Sequence, residues 1–277
     1  MLRHMRERRL FSTTFAAVWA NLFFVIFVSI PSPGLAERTA NNFLIPGVDF
    51  SRLVFREGAW CRYLVADEAL GQVDTTEVYV GVSAREETDR GTAWWVEIET
   101  RPYIGDREDH QVLKLLVLEK ITHFSVDDSL GRFVLRLYIR SGTRPVREED
   151  PLRYEDFSLV SPTTDAPWDL KSGVLAATPA GRFTCERKTR TVRKDREIPT
   201  GNVILIIRAE DNYAVWFCDE IPVFRMARCE ISRIRETRTE PRIAGIPASG
   251  RKESRTTAEL IAYGFDAKSI LFIDPAP

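Results

Sequence analysis

Along most of the chain apolar and polar residues alternate with a period of two, the pattern of half-buried β-strands. In TAWWVEIET, Trp94, Val96 and Ile98 fall on one face, and Trp95, Glu97 and Glu99 on the other. In RFVLRLYIR, Phe133, Leu135, Leu137 and Ile139 oppose Arg136, Tyr138 and Arg140. In TTEVYVGVSA, Val78, Val80 and Val82 share a face. The stretches 59–67, 111–119, 182–194, 203–210, 213–218, 223–238 and 257–264 also read as strands, which predicts about ten in all.

Helical periodicity is scarce. One short helix is expected over 48–56 and another over 147–157, the second interrupted by Pro151. No amphipathic helix of crossover length separates neighbouring strands, so a parallel βαβ sheet is disfavoured and antiparallel pairing is expected. The segment 141–179 holds Pro145, Pro151, Pro162, Pro167 and Pro179 and predicts a long irregular connection. A second polar loop is expected over 239–255, around Pro241 and Pro247. The expectation is therefore a mainly β chain: a strongly curved antiparallel sheet or half-barrel with few short helices and long loops.

The first 36 residues break the alternation. Arg3, Arg6, Arg8 and Arg9 precede an uncharged stretch from Leu10 to Ile30, and Pro31-Ser32-Pro33-Gly34-Leu35-Ala36 follows, with small residues at Gly34 and Ala36. Charged, apolar, then small is the order of a secretory signal peptide, with cleavage after Ala36. The alternative is an uncleaved signal anchor, which the length allows but Thr13, Thr14, Asn21 and Ser29 dilute. Both readings place the rest of the chain outside the cytoplasm, periplasmic or secreted, because the basic residues stay inside. No Cys stands at the break for lipid attachment. Residues 37–277 then form a single domain.

Charge is unevenly placed. Residues 37–181 carry 17 basic and 25 acidic side chains, whereas residues 182–255 carry 17 basic and 11 acidic ones. The basic part either neutralises the acidic part within one sheet or faces an anionic partner such as lipid headgroups. No nucleic-acid-binding motif is visible. Export makes disulfides plausible for Cys61, Cys185, Cys218 and Cys229; four cysteines allow three pairings, and Cys218 with Cys229 plus Cys61 with Cys185 is the preferred one. An alternative is that some are small buried hydrophobes.

Nothing in the chain names a reaction. His110 and His123 read as surface histidines, and no nucleophile elbow, zinc-protease helix or phosphate loop occurs. Glu97 and Glu99 share a face that reads as solvated. No catalytic, cofactor or metal site is expected. Trp94, Trp95, Phe133, Phe183, Trp216 and Phe224 fall in strands, where they form either a packed core or the wall of a hollow for an apolar ligand.

Five segments in this order, VLKLLVLE from Val112, LYIRSGTRP from Leu137, AGRFTCE from Ala180, WFCDEIPVF from Trp216 and YGFDAKSI from Tyr263, resemble a group of uncharacterised exported bacterial proteins. Their sheet is similar to the lipoprotein-carrier (LolA/LolB-like) half-barrel. The resemblance covers most of residues 37–277 and is sharpest at PAGRFTCE and WFCDEIPVF. It implies a concave apolar face that receives acyl chains, with Phe183, Trp216 and Phe224 as candidate cavity residues. The chain differs from the carriers in having few covering helices and more polar loops. The function expected is an exported, non-enzymatic envelope protein binding a lipid, an acyl chain, a lipoprotein or an apolar protein segment. An envelope assembly protein acting through protein contacts, or a secreted hydrolase, are the alternatives.

Overall fold

The computed structural model describes residues 52–103, 110–123, 130–152, 167–200, 203–240 and 249–271. The segment read as a signal, residues 1–36, lies outside the described residues. The helix expected over 48–56 is not formed where the stretch is described: residues 52–56 hold no α-helix, and Val54 instead pairs with Val223 as an isolated bridge, so extended pairing to a distant segment wins over the weak helical period. Eleven strands occur: Trp60–Ala69 (β1), Gln72–Thr88 (β2), Gly91–Pro102 (β3), Gln111–Leu118 (β4), Val134–Ser141 (β5), Arg147–Glu149 (β6), Asp169–Thr178 (β7), Gly181–Thr200 (β8), Val203–Phe217 (β9), Met226–Glu240 (β10) and Ser249–Gly264 (β11). All belong to one antiparallel sheet in the order β6-β5-β4-β3-β2-β1-β11-β10-β9-β8-β7. Two meanders thus meet at the β1–β11 pair, and the sheet does not close into a barrel. Among the described residues there is no α-helix, only 3-10 turns such as Glu119–His123 and Leu130–Arg132. None is long and apolar enough to cross a membrane.

Several expectations need correction. The helix expected over 147–157 is strand β6 followed by a turn at Pro151 and Leu152, with 153–157 outside the described residues. The long connection 141–179 contains both β6 and β7. The loop expected over 239–255 shrinks to the interval between β10 and β11, because β11 starts at Ser249. The strands read at 203–210 and 213–218 are one strand, β9, running through Asp211 and Asn212. Paired long neighbours explain these differences: a polar strand with a partner on each side stays extended without an apolar face.

One face of the sheet carries a continuous core. Cys61, Tyr63 and Val65 on β1, Val78, Val80 and Val82 on β2, and Val96 and Ile98 on β3 sit there, with Leu113 and Leu115 on β4. The other meander adds Val215 and Phe217, Cys229 and Ile231, and Ala258 and Leu260. Leu135 departs from its predicted face. The β4–β5 register slips so that Leu116 opposes Arg136 while Val117 opposes Val134. This one-residue bulge sends Val134 into the main core and Leu135 to a small cluster with Ala93, Leu116 and Leu118 on the other side. The β1–β2 turn spans only Leu70 and Gly71, with φ of 54° and 77°. Two left-handed residues suit the right-handed strand twist, and glycine takes one of those positions without steric cost.

The sheet is strongly rolled. Ala180, in the β7–β8 turn, donates its N–H to the Leu260 carbonyl of β11 at 3.2 Å, although β10 and β9 lie between β8 and β11 in the sheet order. Phe183 meets Tyr263 edge-on at 6.0 Å in the same place.

Candidate functional site

The concave side is the place where a ligand was expected, and the protein's own chain fills it. Between β9 and β10, residues 218–225 fold inward, with Ile221, Val223 and Phe224 all buried. Cys218 donates its N–H to Arg225 O at 2.7 Å, and Ile221 to Cys218 O at 3.2 Å. Val223 pairs with Val54 as an isolated bridge. From β1, the Cys61 thiol donates to Pro222 O and the Tyr63 hydroxyl to Met226 O, both at 2.9 Å. Val223 and Arg225 hold φ of 62° and 53°. A β-branched residue there is strained, so the surrounding contacts impose this plug on its backbone.

Of the three candidate cavity residues, Phe183 and Phe224 belong to the main core and the partly buried Trp216 packs at its margin. Phe183 and Phe224 are buried, Phe224 against the Tyr63 ring at 6.5 Å. Trp216 points the other way from Val215 and Phe217 on β9, as strand alternation requires. Its ring lies beneath the guanidinium groups of its cross-strand partners, Arg187 at 4.9 Å and Arg228 at 5.7 Å. The depression beside the plug, about 330 Å³, is lined by Arg52, Thr184, Glu186, Phe217, Asp219 and Glu220. An Arg52–Glu186 ion pair bridges it, so its chemistry is polar.

The disulfide is Cys185–Cys218, which corrects both expected pairings. Glu186 opposes Phe217, so Cys185 and Cys218 stand directly across from one another with Cα atoms 4.6 Å apart. The bond pins the base of the plug to β8. Cys61 and Cys229 are free and buried on β1 and β10, and burial pushes both thiols up to about 12.

The carboxylates read as solvated are buried as well: Glu97 is 2% exposed and Glu99 4%. A strap at residues 266–271 covers Glu97 on the outer face of β3. The Glu97 carboxylate accepts from the Ser269 hydroxyl and the N–H groups of Ile270 and Leu271, and pairs with Lys114 at 3.0 Å. Trp60 Nε1–H donates to Asp266 at 2.7 Å at the strap's start. Glu99 lies 2.7 Å from both His110 Nε2 and an Arg101 nitrogen. Among the described residues no serine, threonine or cysteine side chain completes that pair as a nucleophile. His123 is exposed. Among the described residues, no group of three His, Cys, Asp or Glu is placed to hold a metal ion.

The two edges of the sheet differ. β6 is three residues long and reads Arg147-Glu148-Glu149. β7 is ten residues long, with Leu170 and Leu175 each 62% exposed and open space beside Gly173.

No protein-family model and no curated protein matches this sequence. Two solved structures resemble it in part. One is a candidate exported protein with a YmcC-like fold from Bacteroides fragilis, 10% identical, with a TM-score of 0.32 over 76% of this chain and 98% of its own. The other is a candidate lipoprotein from Parabacteroides distasonis, 10% identical, with a TM-score of 0.34 over 78% of this chain and 99% of its own.

Proposed function

We propose that the protein is an exported, non-catalytic binding protein of the cell envelope that receives an extended apolar segment of a partner protein along β7. Export rests on the charged, apolar and small segments of residues 1–36. The observation that carries the binding mode is the contrast between the edges. A short, charged terminal strand such as β6 resists further pairing, whereas a long strand with exposed leucines invites it. Val174-Leu175-Ala176-Ala177 offers a ladder of backbone groups and one large apolar contact, Leu175.

Photo-crosslinking tests this reading. A photoreactive residue at Leu175 is expected to give one adduct of defined mass with a single envelope protein, and the same probe at Arg147 on β6 none. Equal labelling from both edges, or none from either, would overturn it.

A second reading, acyl-chain binding in the concave face, draws on the strained plug. Val223, with its left-handed backbone, closes the hollow that a carrier leaves open, and outward movement of 218–225 would uncover Tyr63 and Phe183. Native mass spectrometry separates the two: a co-purifying lipid favours this reading, and a lipid-free chain with a protein adduct favours the first.

A further inference from the structure

The outer stretches of β8, β9, β10 and β11 run beyond the core as a four-stranded ribbon, in unbroken register from Lys188 opposite Val215 to Ile198 opposite Leu205. The registers between β9, β10 and β11 are equally regular there. Every side chain of the ribbon can therefore be assigned to one face. The core face continues outward through Arg190, Lys194 and Arg196 on β8, Arg233 and Arg235 on β10, and Lys252 on β11. With Lys188, which starts the ribbon opposite Val215, seven cations share this face among the described ribbon residues with one carboxylate, Asp211. The opposite face alternates in sign: Arg193 pairs with Glu210, Arg208 with Asp195, Arg251 with Glu236 and Glu253, and Arg255 with Glu230. The basic excess of residues 182–255 is thus sorted by strand parity onto one side.

The tip adds a second feature. β9 opens with Val203-Ile204-Leu205-Ile206-Ile207. Ile204 is 41% exposed, and Ile198 on β8 stands opposite Leu205. By strand parity the half-buried Ile198, Leu205 and Ile207 share the face of the exposed Lys194, Arg196 and Lys252, whereas Ile204 stands on the opposite face, across from Pro199 and Glu240. Apolar groups at an extremity with a cationic collar behind them match an interface that is greasy inside and anionic at its surface. A polyanion in solution would use the cations and leave the aliphatic tip without a partner.

We propose that this ribbon docks on the surface of an anionic phospholipid bilayer, with Ile198, Leu205 and Ile207 at the headgroup boundary and the cations of the core face against the headgroups. The long side chains reach the phosphate layer while their stems stay on the ribbon. The inference is independent of the β7 reading, because it uses neither β7 nor the plug.

The test uses the exported protein as purified, with every variant matched to its parent in N-terminal mass. It compares flotation with phosphatidylcholine vesicles and with vesicles holding about 30 mol % phosphatidylglycerol. The parent is expected to bind the anionic vesicles at least ~10-fold more tightly, with an advantage that shrinks as salt rises. The variant K194Q/R196Q/K252Q is expected to lose ~10-fold or more, and the equally charged R193Q/R208Q/R251Q on the opposite face less than ~3-fold. Leu205→Ser, on the same face as the cations, is expected to weaken binding at both salt extremes. Equal losses from the two triple variants, indifference to vesicle charge, or tight binding to soluble polyphosphate with none to vesicles would each overturn the proposal. Matched thermal midpoints among the variants separate a docking loss from a folding loss.

Discussion

β1–β6 and β7–β11 are both antiparallel meanders of one sheet, and they contribute to the same core, but they treat their outer surfaces in opposite ways. The first half hides its polar groups. Glu97 and Glu99 are buried on its convex face, and the strap at 266–271 crosses over Glu97. Its terminal strand, β6, is short and charged. The second half displays its polar groups. Its strands outrun the core, its outward carboxylates and guanidinium groups pair across strands in water, and its terminal strand is long with exposed leucines. The difference teaches how one sheet treats its polar groups in two ways. Both halves share the core, the first half burying its outward carboxylates and the second carrying the long edge strand and the charged ribbon.

The sharpest way to break this contrast is Glu97→Ala. Removing a buried carboxylate leaves Lys114 and the N–H groups of Ile270 and Leu271 without their acceptor. Loss of one partner from a buried, hydrogen-bonded ion pair costs about 3–5 kcal/mol. The same change at Glu210, whose ion pair with the exposed Arg193 is screened by water, should cost far less. Denaturant unfolding of both variants measures the gap, and hydrogen exchange at Ile270 and Leu271 should rise only in the first. Similar costs for the two would mean that burial does not distinguish the halves.

Alternation made the strands of the first half legible in the sequence, because each has one apolar and one polar face. It misled at Leu135, where a bulge changes parity in a way that no local signal marks. β7 went unread because Asp169-Leu170-Lys171-Ser172-Gly173 carries no apolar face; its partner β8 imposes the strand. Glu97 and Glu99 were placed correctly on a shared face but wrongly in solvent, since the strap that covers Glu97 comes from more than 150 residues further along the chain. The disulfide had the same obstacle. Cys218 is close to Cys229 in sequence, yet pairing depends on the β8–β9 register, which sets Cys218 opposite Cys185. Of the candidate cavity residues, Trp216 alternates with Val215 and Phe217 along β9, and only the fold shows that it still packs at the margin of the main core beneath Arg187 and Arg228.

A second measurement sharpens the comparison at the plug. The Cys185–Cys218 bond joins residues 33 apart in sequence and lies wholly within the second half. Its removal by C185A/C218A is expected to lower stability by about 2–4 kcal/mol, mainly through the freer unfolded chain. Reduction of the parent should give a similar loss in thermal midpoint. Protease sensitivity should then appear first in 218–225, with β1–β4 protected. Uniform loss of protection would show that the plug and the first half unfold as one unit.

The smallest expected effect concerns the free thiols, one from each meander. Burial raises both Cys61 and Cys229 from an ordinary 9.0 to about 12. Between those values the folded chain keeps both protons while the unfolded chain releases them. Stability is therefore unaffected by these groups below pH 9 and falls as pH rises through the window from 9 towards 12. At pH 10 the loss is about 1.4 kcal/mol per thiol. The variants C61A and C229A carry the cost of a small cavity at pH 7 but should show a shallower decline above pH 9, each removing one thiol's share of the slope. Alkylation provides the kinetic counterpart, since only the thiolate attacks and neither buried thiol forms it near pH 8. Labelling of both cysteines should thus proceed at the rate of unfolding. Rapid labelling of Cys61 alone would mean that the plug over Pro222 opens in the native state, and would shift the balance towards acyl-chain binding in the concave face.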